Sequence, residues 1–148
     1  MSSDTPVAPA SDSSSLALQI PLLVRCGYRL EEHVEGRAKG ALLVTPELAG
    51  PTGHLNGTEL YGLLDCTAWF SVSKALAPNE AAVTHDAHFS MLGVAKVGSQ
   101  VSIVAELVKR GRTTAFVRVT AEADGKPFAL ATITKSIIPF DVRMRHAG

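Results

Sequence analysis

The stretch Gly57-Thr58-Glu59-Leu60-Tyr61-Gly62-Leu63-Leu64-Asp65-Cys66-Thr67-Ala68-Trp69-Phe70-Ser71-Val72-Ser73-Lys74-Ala75-Leu76 decides the fold. It contains no proline and one internal glycine, Gly62, and its apolar residues Leu60, Leu63, Leu64, Ala68, Phe70 and Val72 do not keep to a single stripe. A helix that is apolar on more than one face must be buried on most of its sides. Within it, Asp65 is the only charged residue between Glu59 and Lys74.

Working outward, four β-like runs follow: Ala81 to Leu92, Gln100 to Lys109, Thr113 to Glu122 and Pro127 to Ile138. Residues 93–99, Arg110-Gly111-Arg112 and Asp124-Gly125 supply turn signals between them, the last a strong hairpin signature. The pattern predicts an antiparallel meander. Upstream, Tyr28 to Val44 alternates loosely around Gly36 and Gly40, as either a strand pair or one long bent strand, and Pro46 to Gly57 reads as a loop. Roughly 20 helical residues span about 30 Å, and strands of this length span about 33 to 40 Å. So apolar a helix buries itself only where such a sheet curls around it. The expected architecture is α+β: a long central helix wrapped by a curled antiparallel sheet of five to six strands.

Residues 1–15, rich in Ser, Pro and Ala and without an aromatic, read as a disordered tail. Residues 16–27 read as a short helix or an extended docking segment, limited by Pro21 and ended by Gly27. Residues 141–148 read as a C-terminal tail. The 148 residues, 46% of them hydrophobic, suit one domain. Lys plus Arg equals Asp plus Glu at 14 each, so no positive field is present to hold nucleic acid or an anionic membrane. Cys26 and Cys66 are too few for a disulfide framework and lack zinc-site spacing, which fits a reducing, cytoplasmic setting. The run Leu16 to Val24 is too short to span a bilayer and lacks a basic leader, so neither anchor nor export signal is expected. His85 and His88, three apart on a strand, are expected on opposite faces, and no metal is predicted.

The segment Gly53-His54-Leu55-Asn56-Gly57-Thr58-Glu59-Leu60-Tyr61-Gly62-Leu63-Leu64-Asp65 resembles the HGG-x(6)-D segment of the PaaI-like branch of hotdog thioesterases. Downstream, Val83-Thr84-His85-Asp86-Ala87-His88-Phe89-Ser90 is similar to that family's post-helix strand. Lys96-Val97-Gly98 is similar to its loop, and Lys109 to Phe116 to its Gly-basic hairpin. The resemblance runs from about Tyr28 to Ile138 and rests on the order and spacing of the four motifs. It implies a hotdog domain over residues 28–140. Two departures stand out: Asn56-Gly57-Thr58 replaces the usual His-Gly-Gly, and Gly93-Val94 replaces an Arg-Pro or Ser-Pro pair.

The residues alone leave Asp65 open between a solvated or capping helix carboxylate and a functional acid. The resemblance implies the latter, with Asp65 as nucleophile or general base toward a thioester carbonyl. It also implies a Thr84 hydroxyl near the attacking water, although an ordinary strand threonine would read the same; Asp86 and His88 are expected on the same strand face as Thr84. Gly57 matches the glycine whose backbone N–H, at the helix start, would polarise the thioester oxygen. Asn56 and Glu59 approach a capping box, so Glu59 is read as a cap and Asn56 as a cap, a catalytic residue or both. Gly57 and Asp65, eight residues apart, are separated by about 12 Å along the helix and cannot touch one carbonyl. If both are functional, a site combines Gly57 of one protomer with Asp65 of another.

Lys109, Arg110 and Arg112 could meet CoA phosphates or form a solvated hairpin tip. Cys66 is read as a packing residue rather than a nucleophile. Tyr61, Trp69, Phe89 and Met91 suit either a pocket wall or the core. These readings converge on an acyl-CoA thioesterase acting on an aliphatic or aromatic acyl group, assembled as a homodimer or homotetramer. Its expected partners are the acyl-CoA substrate and its own copies, without nucleic acid or membrane, and no cofactor is expected beyond the CoA of the substrate. Two alternatives remain: a non-catalytic acyl-CoA sensor, suggested by the missing His-Gly-Gly, and a hotdog dehydratase using His54 with Asp65.

Overall fold

The computed structural model describes residues 13–141. The central helix, α3, runs over Gly57–Ser73, following two short helices, α1 (Ser13–Ala17) and α2 (Pro21–Arg25), and two strands, β1 (Arg29–Val34) and β2 (Arg37–Leu43). After α3 come β3 (Glu80–Met91), β4 (Gln100–Arg110), β5 (Thr114–Ala123) and β6 (Lys126–Pro139). Asn56 caps α3, its side-chain oxygen accepting from the Thr58 N–H at 3.1 Å. The helix stops at Ser73, short of the expected Leu76, and the chain continues in tighter turns, with Ala75 N–H donating to the Val72 carbonyl and Leu76 N–H to that of Ser73.

Six strands form one antiparallel sheet in the order β1-β2-β4-β5-β6-β3, and α3 touches every strand. Leu60, Leu63, Leu64, Ala68, Phe70 and Val72 of the helix are fully buried against sheet residues such as Ile103, Val117, Val119 and Ile133. Burying each larger side chain stabilises the fold by roughly 1.5 to 3 kcal/mol. This is the hotdog arrangement that the sequence predicts.

The upstream segment is a strand pair, turned at Gly36 with φ of 81°, and not one bent strand. A full meander is not formed. Strands β4, β5 and β6 follow one another, but β3 pairs with β6 at the far edge instead of with β4. The reason is α3, which carries the chain across the sheet before β3 begins, so residues 92–99 must return it to β4. The return is pinned to the loop before α3, where Leu55 N–H donates to Ala95 and Val97 N–H to Gly53.

At the N-terminus, residues 13–15, expected within a loose tail, are helical, and Ser14 is buried. Pro21 opens α2 at a position where its missing N–H costs nothing, and Gly27 ends it with φ of 63°. The helix lies close on α3, since a Cβ at Gly62 would come within 2.3 Å of Leu22 Cδ2. Arg25 adds an ion pair to Glu59. The other expected tail segments, residues 1–12 and 142–148, lie outside the described residues. Among the described residues no helix is long and apolar enough to cross a membrane.

Candidate active site

Asp65 sits on the side of α3 that faces the end of the sheet formed by β6 and β3. Alternation along β6 turns Ala129, Ala131, Ile133, Lys135 and Ile137 toward the helix, all buried. Lys135 is therefore a lysine in a core-facing register, 2% exposed. Its cross-strand partner on β3 is Thr84, and paired residues share a face.

The three side chains close a triangle. Lys135 Nζ donates to Asp65 Oδ1 at 2.7 Å and to Thr84 Oγ1 at 2.8 Å. Thr84 Oγ1 donates to the same Asp65 Oδ1 at 2.7 Å. Lys135 also reaches the Asp65 backbone carbonyl at 3.3 Å. Asp65 Oδ2 takes no hydrogen bond from the described residues, and the carboxylate keeps 36% of its side-chain surface. A buried ammonium is tolerated because it is paired and fully hydrogen-bonded. Beside the triangle lies a largely apolar cleft of about 280 Å³, its walls including Ala17, Ile20, Cys66, Trp69 and Val83.

A bulge decides which β3 residues reach this site. The register shifts between Thr84 and Asp86, with His85 as the extra residue. Thr84 thus faces α3, whereas Asp86 and His88 pair with Thr134 and Thr132 on the opposite face. The expectation that Thr84 shares a face with Asp86 and His88 is corrected, since simple alternation does not survive the inserted residue. The same bulge removes the basis for placing His85 and His88 by spacing.

Gly57 and Asn56 line a separate cleft of about 360 Å³ with His54, Leu60, Met91 and Phe128. Gly57 N–H has no acceptor among the described residues. One chain accordingly brings together Asp65 and Thr84 but leaves Gly57 and Asn56 elsewhere, as the helix geometry requires. His54 lies on the Gly57 side, its Nδ1 3.0 Å from Thr52 Oγ1, and does not line the Asp65 cleft.

Glu59 is not a capping-box residue. Its carboxylate is held by Arg25 and approached by Cys26 Sγ at 3.9 Å, and the Asn56 N–H it would cap donates to the Leu48 carbonyl. Of the basic turn, Arg110 is engaged by Glu80 and by the carbonyls of Ala75, Gly111 and Arg112, while Lys109 and Arg112 are exposed. Burial pushes the Cys66 thiol up to about 11, with the adjacent Asp65 charge adding to the effect, which suits packing and not nucleophilic attack. Trp69 lines the Asp65 cleft and Met91 the Gly57 cleft. Tyr61 and Phe89 stack on each other, ring centroids 4.5 Å apart. Lys135 is the residue that sequence reasoning missed. Its signal was present, as a charge in phase with the inward apolar positions of β6.

A family model described as an acyl-CoA thioesterase N-terminal domain matches residues 65–136, a span that holds Asp65, Thr84 and Lys135 but not Gly57. No curated protein matches the sequence. Among solved structures, the PaaI protein of the Escherichia coli phenylacetic acid degradation operon is 18% identical. It superposes with a TM-score of 0.79, over 87% of this chain and 92% of that one. A hypothetical thioesterase from Streptococcus pneumoniae, in its structure with coenzyme A, is 23% identical with a TM-score of 0.71, over 76% of this chain and 90% of the other. A protein from Thermus thermophilus is 25% identical with a TM-score of 0.73, over 78% and 96%. Fold and family model agree: over residues 65–136 the chain is similar to an acyl-CoA thioesterase domain, carried on a hotdog fold.

Proposed function

We propose that the protein hydrolyses acyl-CoA thioesters and that Asp65 is the general base. The observation that carries this reading is the half-buried Asp65 carboxylate, fixed through Oδ1 and open through Oδ2 at the mouth of an apolar cleft. A water bound to Oδ2 attacks the carbonyl carbon while its proton passes to the carboxylate. The tetrahedral oxyanion then collapses, the C–S bond breaks, and CoA leaves as a thiol once its sulfur is protonated. The products are the free acid and CoA. Thr84, whose hydroxyl donates to Oδ1 and accepts from Lys135, is assigned to holding the carboxylate in place.

Gly57 N–H at the start of α3 is the proposed donor to the oxyanion, where orphan N–H groups and the positive end of the helix favour negative charge. Asn56 supports it by capping the same turn. Since Gly57 and Asp65 line separate clefts of one chain, the proposed site draws Gly57 from a second copy. The sheet edge supports such an arrangement. Strand β3, which carries Thr84, is a 12-residue edge strand with Val83 to His88 all exposed, and an edge of that length is open to pairing with another chain. Lys109 and Arg112, free at the end of the sheet, are the proposed contacts to CoA phosphates, with Arg110 shaping their turn. The proposed setting is cytoplasmic, where Cys26 and Cys66 persist as free thiols.

The test is a panel of acyl-CoAs, from short aliphatic to aromatic, assayed for free thiol. Release from at least one member is expected. Binding of acyl-CoA with no thiol released from any member would overturn hydrolysis in favour of a sensor.

A further inference from the structure

We propose that Lys135 is a positioning residue for the hydrolysis, acting through Asp65; the inference rests on Asp65 being the base. A lysine has three donor hydrogens and no acceptor. Here its Nζ contacts are Asp65 Oδ1 at 2.7 Å, Thr84 Oγ1 at 2.8 Å and the Asp65 carbonyl at 3.3 Å. The ammonium is therefore saturated by the one residue that does the chemistry and the one hydroxyl bonded to it. Nothing in the core requires a charge at this point. The neighbouring inward positions on β6 are Ile133 and Ile137, and an apolar side chain would fill the space without the desolvation cost of a buried ammonium.

The geometry of the triangle says what the charge does. A carboxylate on a mid-helix residue can rotate, and either oxygen can then face the cleft. With two donors on Oδ1, rotation breaks both hydrogen bonds, one of them charge-assisted and so among the stronger kind. Lys135 and Thr84 thereby make the two oxygens inequivalent, with Oδ1 as the anchor and Oδ2 as the oxygen that meets water. Lys135 borders the cleft but is only 2% exposed, and its ammonium is directed to Asp65 and Thr84. Its contribution is to the alignment of the water, which enters kcat more than KM.

The test is a mutant cycle on steady-state thiol release. Lys135→Met keeps an unbranched stem and removes the donors. Its kcat is expected to fall by about 10-fold to 100-fold, the size of effect that a small misalignment has, with KM within about threefold because ground-state binding is untouched. Added to Asp65→Asn, it should cost nothing further, because a residue acting through Asp65 has nothing left to orient. Lys135→Gln retains a donor and is expected to recover part of the loss; should the methionine variant fail to fold, the cycle is run with glutamine. An unchanged kcat in folded Lys135→Met would overturn the proposal, as would a loss that adds in full to that of Asp65→Asn. Absence of thiol release by the wild-type protein would instead remove the hydrolase reading, and this proposal with it.

Discussion

Asp65 was legible in the sequence because the only charge between Glu59 and Lys74, in an otherwise largely apolar helix, needs a reason. What the charge touches was not legible. Its partners arrive from β3 and β6, 19 and 70 residues downstream, and no local pattern joins them. Thr84 was identified through motif resemblance, but its inward direction depends on a bulge that alternation does not reveal. Lys135 could have been found by writing out the phase of β6, Ala129, Ala131, Ile133, Lys135, Ile137, in which the lysine is the exception. At this scale the thiol beside Asp65 gives a prediction. With its pKa raised to about 11 by burial, Cys66 is a neutral thiol at pH 8, only about a thousandth of it thiolate. Mass spectrometry after iodoacetamide treatment should show Cys66 unmodified at pH 8 and increasingly alkylated as pH approaches 11, and Cys66→Ala should turn over normally. Rapid labelling at pH 8 would contradict the burial of this side chain.

The elements themselves, one long helix and runs of strand, could be read from apolar periodicity and turn residues. Their order in the sheet could not, because β3 at the far edge is a consequence of the helix crossing between β2 and β3. The close fit of β2 against Tyr28 was equally hidden. A Cβ at Gly40 would lie 2.2 Å from the Tyr28 ring, and that ring cannot move freely, since its hydroxyl is 2.9 Å from Thr67 Oγ1 and its face stacks near Phe70. Gly40→Ala is expected to destabilise the domain by about 1 to 3 kcal/mol, the usual cost of overpacking. Tyr28→Phe should cost about 1 kcal/mol, because Thr67 keeps its bond to the Leu63 carbonyl at 2.8 Å. Thermal unfolding measures both, and a midpoint for Gly40→Ala equal to that of the wild type would contradict the packing described.

At the scale of the molecule, Asp65 and Gly57 line separate clefts, so the proposed site needs a second copy. Gly57→Pro tests the donor alone. Proline is well tolerated at the first position of a helix, Asn56 already has the extended backbone required before it, with ψ of 132°, and the substitution deletes the N–H. A loss of about 100-fold to 1000-fold in kcat is expected, as for removal of one oxyanion donor. Refolding Gly57→Pro together with Asp65→Asn should restore activity to about a quarter of the wild-type level, because half the dimers are mixed and each mixed dimer rebuilds one of its two sites. Mixtures no more active than the separate variants would contradict a site shared between two copies.

The most direct measurement is steady-state thiol release by Asp65→Asn on an acyl-CoA that the wild-type protein turns over. Loss of the proton acceptor should lower kcat by about 100-fold to 10,000-fold, the range spanned by general-base catalysis, with the circular dichroism spectrum and assembly size unchanged. Turnover by Asp65→Asn equal to that of the wild type would contradict the account.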